Sequence, residues 1–135
     1  MYNLNAIIKK IEDNINCDDF EIVMIDCIED IKRNHNQLAS VKPLLQLMER
    51  NPLIHFGDPG AIVHFVETFY KKGYEEELVN SIKRKPTLHT IWMLNRIING
   101  ADNKEYYLSL LKKIYENKSY DKEIREEALY FLSIH

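Results

Sequence analysis

The chain has 135 residues, of which 45% are hydrophobic and 29% charged, a globular composition that argues against wholesale disorder. Four Gly and four Pro are too few for the turns of an all-β sandwich or barrel, and no apolar run approaches the roughly 18 residues of a membrane span. The net charge of −3 and a first segment without a basic, apolar leader predict a cytoplasmic protein that binds neither membranes nor nucleic acid.

Helical periodicity dominates the sequence. Apolar residues recur at i, i+3 and i+4 in eight segments, which are separated by short polar or Gly- and Pro-containing connections. The first two predicted helical segments are 4–15 and 20–31. The third has an apolar stripe over 38–48, and the helix is expected to start close to Pro43, where a missing N–H is harmless. The others are 59–72, 74–83, 86–99, a seventh that starts at Asp102 or Asn103 and an eighth that starts at Ser119 or Asp121.

Residues 51–60 form the most loop-like part of the chain. Asp58 followed by Pro59 predicts the start of the fourth helix, because Asp is a good N-cap and Pro suits the first helical position. We expect this helix to run to Lys72 and to stop at Gly73.

The pattern predicts an all-α fold of about eight helices in a single domain that spans residues 1–135. Because the connections are short, neighbouring helices are expected to be antiparallel. Repeated hairpins of this size resemble the α-solenoids of the HEAT and armadillo type, and a compact orthogonal helical bundle is the alternative.

The chain contains two cysteines, Cys17 and Cys27. Ten helical positions separate them by an axial distance beyond disulfide reach, so we expect both thiols to stay reduced. Two thiols without clustered histidines also make a poor zinc site, and we predict no metal and no other cofactor.

Acidic residues form a stripe on the second predicted helix. At about 100° per residue, Asp19, Asp26 and Asp30 share a narrow arc, with Glu29 beside them. The stripe is interpreted either as an ordinary solvated helix face or as a docking surface for a basic partner.

Two other helices carry polar residues in a pattern. On the fourth, His64, Glu67 and Lys71 are expected to line up opposite the apolar arc, but a His–Glu pair without a nucleophile, an oxyanion hole or metal ligands predicts no catalytic residue.

The glycines at 57–60 also lack the spacing of a phosphate-binding loop.

The sixth helix is apolar around almost its whole circumference, which predicts a central, buried helix in which Trp92 is largely buried. Its polar residues are interpreted in two ways. Either His89, Asn95 and Arg96 form an internal polar network, or one side of the helix opens onto a groove and presents Trp92, Asn95 and Arg96 to a partner.

The runs GDPGAIVHFVETFY (57–70) and YEEELVNSIKRKPTLHTIWMLNRIIN (74–99) resemble small helical immunity proteins of bacterial contact-dependent inhibition and related polymorphic toxin systems. The resemblance covers about a third of the chain. It implies a cytoplasmic, non-enzymatic antitoxin that binds a cognate toxin domain delivered by a neighbouring cell.

The leading hypothesis is therefore an immunity protein that forms a 1:1 complex with a toxin domain, expected to be a basic nuclease. A generic helical-repeat scaffold is the second hypothesis, and a nucleic-acid enzyme using His55, His64 or His89 is the third. The candidate partner-binding residues are Asp19, Asp26, Glu29, Asp30, His64, Glu67, Trp92, Asn95 and Arg96.

Overall fold

The computed structural model describes residues 3–135 and has an all-α fold. The described chain is 71% helical and contains eight α-helices and no strand. This confirms the predicted fold class, whereas the solenoid and the orthogonal bundle stay predictions. The helices are α1 (Leu4–Asp13), α2 (Phe20–Asn34), α3 (Val41–Arg50), α4 (Ala61–Glu67), α5 (Tyr74–Arg84), α6 (Leu88–Gly100), α7 (Lys104–Glu116) and α8 (Lys122–Ser133), with a 3₁₀ turn at Leu38–Ser40 before α3.

The chain divides into two compact units. Unit 1 consists of the described part of Met1–Leu47 together with Phe56–Glu77, and unit 2 of Met48–His55 together with Leu78–His135. Helices α1, α2 and α4 belong to unit 1 and α6, α7 and α8 to unit 2, while α3 and α5 contribute residues to both. The assignment of residues 1–135 to one domain stays a prediction.

In unit 1, α2 packs against both α1 and α4. The apolar stripes predicted from the periodicity form this core, in which Ile11 and Ile31 are fully buried. The N-terminus of α1 is capped by Asn3, whose side chain accepts a hydrogen bond from the Ala6 N–H at 2.7 Å.

The predicted start of the fourth helix at Asp58–Pro59 is wrong. Helix α4 begins at Ala61 after Gly60, and Pro59 lies in the preceding turn behind a cis peptide bond. Gly57 and Gly60 both have positive φ, and a Cβ on Gly60 would overlap the Phe56 carbonyl oxygen. The turn therefore needs glycine at this position, and helical geometry begins only after it.

The predicted end of this helix at Lys72 is also wrong, because α4 stops at Glu67. The next residues continue in a tighter turn, in which the N–H of each residue from Thr68 to Tyr70 bonds to the carbonyl three positions earlier. Lys71 then has a φ of 61° and Gly73 a φ of 116°, which is incompatible with a continuing helix.

In unit 2, α6 contacts both α7 and α8, and α7 packs against α8. The start of α6 is fixed by a capping box. The buried Thr87 hydroxyl oxygen accepts a hydrogen bond from the Thr90 N–H at 3.0 Å, and the Thr90 hydroxyl oxygen accepts one from the Thr87 N–H at 3.1 Å. The Leu88 N–H donates to the Pro52 carbonyl at 2.9 Å, which joins this helix to the segment after α3.

Replacing Thr87 with Ala is expected to lower the free energy of unfolding by about 1–2 kcal/mol, because the first turn of α6 loses its cap in a buried site. Denaturant unfolding measures this difference. The control is Thr68→Ala at the C-cap of α4, an exposed residue whose hydroxyl donates only to the Phe65 carbonyl of its own helix, and it should change the stability by less than about 0.5 kcal/mol. Equal losses in both variants would contradict the assigned importance of the capping box.

Candidate functional site

The outward face of α2 combines exposed isoleucines with acidic residues. Ile22 is 62% exposed and Ile25 is 46% exposed, although the opposite face of the helix is buried. Asp26 and Glu29 are exposed and follow Ile22 at i+4 and i+7, so the three side chains share one face. We call Ile22, Ile25, Asp26 and Glu29 the α2 face.

The four acids of the predicted stripe differ in their surroundings. Asp30 is half-buried and pairs with Arg33 at 2.7 Å, and Glu29 pairs with Lys32 at 3.3 Å. Neither Asp19 nor Asp26 makes an ion pair with any residue of the described chain, so their charges are not neutralised locally. The negative charge of α2 that no ion pair neutralises therefore lies at Asp26, beside the exposed isoleucines.

The formal charge is unevenly distributed between the two units. Unit 1 contains seven Lys and Arg against thirteen Asp and Glu, a net charge of −6. Unit 2 contains eleven Lys and Arg against eight Asp and Glu, a net charge of +3. The overall value of −3 therefore conceals an acidic unit, to which the α2 face belongs, and a basic one.

The predicted line of polar residues on the fourth helix is interrupted. His64 is exposed on α4 and Glu67 is its half-buried last residue, but Lys71 lies in the turn that follows. The Lys71 backbone N–H donates a hydrogen bond to the Glu75 carboxylate at 2.9 Å. The i, i+3, i+7 spacing failed as a predictor because the helix ends four residues before Lys71.

On α6, the polar and aromatic side chains form a continuous stack. The rings of His55 and His89 lie 6.3 Å apart between centroids, those of His89 and Trp92 lie 5.3 Å apart, and the Arg96 guanidinium lies 5.7 Å from the Trp92 ring centre. We call these four residues the α6 stack. It joins three residues from one side of α6 to a residue of the segment after α3.

Trp92 and Arg96 are both half-buried, and His55 is exposed. His89 is fully buried, and Asn95 is buried and hydrogen-bonds to His135. The α6 stack therefore extends from a buried ring at His89 to an exposed ring at His55, and both the polar-network and the groove interpretation of α6 stay predictions.

Two residues near the α6 stack were not found by sequence reasoning. Glu127 of α8 is half-buried; burial raises the pKa of its carboxyl, and the nearby His55 opposes this by lowering that pKa. His135 bonds to Asn95 across forty positions of sequence. Only the tertiary packing of α8 on α6 brings these residues together, so no local spacing could reveal them.

The two thiols lie in different environments. Cys17 is exposed, whereas Cys27 is buried beside a cavity of about 320 Å³ between α1 and α2. Burial raises the pKa of the Cys27 thiol; Lys10 lowers it, and Asp30 and Asp26 raise it further. Both cysteines are free thiols.

No family model, curated protein or solved structure matches the chain. Within residues 3–135, none of the helices has the length and hydropathy that crossing a membrane requires. The same part of the chain contains no cluster of three or more His, Cys, Asp or Glu side chains arranged around a metal ion.

In the native protein, one thiol is expected to react rapidly with a thiol-specific reagent and the second only slowly, because Cys17 is exposed and Cys27 is buried with a raised pKa. Absorbance of the released thiolate measures both phases. The variant Cys17→Ser should retain only the slow phase. The mass of the unmodified protein measured without reductant should equal that of the dithiol form, not the mass two hydrogens lower that a disulfide would give. Equal reactivity of both thiols would contradict this arrangement.

Replacing Glu127 with Gln is expected to raise the melting temperature at pH 7. The folded state favours the protonated carboxyl, so ionisation of Glu127 destabilises the native protein as the pH rises above the carboxyl's ordinary range. At pH 4 and below, where both carboxyl and amide are neutral, the difference should shrink. Glu123→Gln, at an exposed position of the same helix, is the control and should show no such pH-dependent gain.

Proposed function

We propose that the protein is an antitoxin of the immunity type, which binds a basic toxin domain through the α2 face in a 1:1 complex. The observation that carries this proposal is the exposure of Ile22 and Ile25 beside the unpaired carboxylate of Asp26. The resemblance of residues 57–99 to helical immunity proteins supplies the kind of partner.

The composition of the α2 face supports protein binding. An interface usually combines an apolar centre, which excludes water, with a polar rim. Here two isoleucines supply the apolar centre, and Asp19, Asp26 and Glu29 supply acidic groups around it. If the α2 face only contacted water, two large apolar side chains exposed there would add nothing to the stability of the fold, because α2 already buries a complete apolar stripe on its other side.

The charge of unit 1 supports a basic partner. A net charge of −6 attracts a basic surface over distances longer than any contact, and complementary potential mainly accelerates association. A nuclease needs a basic substrate site, so a nuclease toxin fits this requirement. The antitoxin would then need no catalytic residue of its own, only a surface complementary in shape and charge to the toxin domain.

The proposal is tested with the protein encoded by the neighbouring gene. Its expression alone should arrest growth, co-expression with this chain should restore growth, and the two proteins should co-purify in equal amounts. Failure of both rescue and co-purification would remove the antitoxin function and favour a general helical scaffold.

Substitutions on the α2 face test the location of the contact. Asp26→Lys should slow association severalfold at 0.01 M salt and much less at 0.15 M, since the Debye length falls from about 30 Å to about 8 Å. Ile22→Ser should instead accelerate dissociation, because it removes part of the apolar centre. Stopped-flow mixing with the purified partner measures both rates.

The matched control is Glu123→Lys, which makes the same change in net charge on α8 of unit 2. Its association rate should stay close to that of the unmodified protein at both salt concentrations. A complex that forms but responds equally to Asp26→Lys and Glu123→Lys would place the interface outside the α2 face.

A further inference from the structure

We propose that the cavity between α1 and α2 binds a free amino acid with an apolar side chain. The proposal concerns unit 1 alone, does not rest on the antitoxin function and uses no residue of the α2 face. We call this space the α1–α2 cavity. Its lining consists of Ala6, Ile7, Lys10, Cys27 and Asp30.

The α1–α2 cavity has the size and the lining of a small-molecule site. Its volume of about 320 Å³ lies at the lower end of the range of roughly 300–1,000 Å³ that such sites occupy. Ile7 and Cys27 are buried and supply an apolar inner wall, while Ala6 is exposed and adds a small side chain at the opening. An apolar group of a ligand is removed from water when it lies against this wall, which favours binding.

Lys10 supplies an ammonium group whose charge no carboxylate neutralises. Its neighbour Lys9 pairs with Asp13 at 2.9 Å, but Lys10 forms no ion pair within the described residues 3–135. Burial raises the pKa of the Cys27 thiol and Lys10 lowers it, so the ammonium acts on a group that lines the same cavity. Lys10 can therefore donate charge-assisted hydrogen bonds to the carboxylate of a ligand.

Asp30 supplies the opposite charge. Its Oδ1 accepts a hydrogen bond from the Arg33 guanidinium at 2.7 Å, whereas its Oδ2 accepts none from the part of the chain that the structure describes. The side chain of Asp30 is 41% exposed, so a ligand that enters from solvent can reach it. Oδ2 can therefore accept a hydrogen bond from an ammonium group of the ligand.

The two charges together decide the class of ligand. Lys10 repels a molecule that carries only a positive charge, and the net charge of −6 of unit 1 repels one that carries only a negative charge. A free α-amino acid has no net charge, and it offers a carboxylate to Lys10 and an ammonium group to Asp30. Its side chain then lies against Ile7 and Cys27 and must be apolar.

The thiol of Cys27 reports on occupancy of the cavity. In the variant Cys17→Ser it is the single remaining thiol, and its alkylation by iodoacetamide is followed by mass. L-leucine should slow this alkylation severalfold with a saturable dependence on concentration, and calorimetry on the unmodified protein should give the same dissociation constant. Leucine that neither binds nor protects Cys27 would overturn the proposal.

Three analogues test the parts of the ligand separately. Leucinamide lacks the carboxylate, 4-methylpentanoate lacks the ammonium group, and glycine lacks the apolar side chain. Each should bind about tenfold or more weakly than leucine, because each loses one of the three contacts. If 4-methylpentanoate or leucinamide binds as tightly as leucine, the cavity selects a simple anion or cation, and the amino-acid proposal is wrong.

A charge variant locates the carboxylate of the ligand. Lys10→Gln should weaken leucine binding about tenfold or more, because a charged donor is lost. The matched control is Lys9→Gln, which removes the same charge at a neighbouring exposed position outside the lining and should have little effect. Equal weakening by both variants would show only a general effect of charge and would contradict the proposal.

Filling the cavity gives a test that does not depend on charge. Because Ala6 is exposed, Ala6→Leu should fold normally, and its larger side chain should occupy the opening and weaken leucine binding about tenfold or more. Asn5→Leu, at an exposed position of α1 outside the lining, is the control and should bind leucine as the unmodified protein does. A folded Ala6→Leu variant with unchanged affinity would place leucine elsewhere and overturn the assignment of the cavity.

Discussion

The junction of α3 with α5 in unit 2 depends on the hydrogen bonds that the carboxylate of Glu49 accepts. Its side chain is only 13% exposed, and it accepts two hydrogen bonds from the Arg84 guanidinium, at 3.1 Å and 2.8 Å, and one from the Ser81 hydroxyl at 2.8 Å. A poorly hydrated carboxylate is tolerated only when its oxygens are bonded in this way. The end of α3 and the end of α5 are thereby held together. The Pro52 carbonyl accepts a hydrogen bond from the N–H of Leu88, so the segment that follows α3 is joined to the first turn of α6 as well.

The helices could be predicted from the sequence because burial imposes the 3.6-residue period on their apolar residues. The exceptions lie where backbone conformation, rather than burial, decides the structure. Around α4, the apolar pattern continues to Phe69 and Tyr70, but Gly60 requires a turn before the helix and Lys71 adopts a positive φ after it. Gly57 and Gly60 can adopt the positive φ that this turn requires, and this backbone requirement outweighs the helix-start preference of the Asp58–Pro59 pair.

The candidate sites were predicted less completely, for two physical reasons. Ile22 and Ile25 lie outside the buried stripe of α2. Their position relative to that stripe could be read from the sequence, and it indicates an exposed apolar surface. The α6 stack, by contrast, depends on contacts between residues far apart in sequence, such as His55 with His89. Hydrophobic periodicity predicts a central, buried α6, but such a pattern cannot show which of its side chains, here Trp92 and Arg96, are less buried than their apolar neighbours.

The proposed α2 face joins fixed apolar side chains to charges of one sign. Ile22 and Ile25 are exposed there beside the carboxylates of Asp26 and Glu29. An acidic segment is therefore repelled by unit 1 and attracted by unit 2, and a basic surface experiences the reverse. Because exposed apolar groups alone would bind many partners, the charge beside them is what would make the α2 face selective. The uneven distribution of charge between the units, and not the net value of −3, is thus the electrostatic property on which the proposed preference for a basic partner depends.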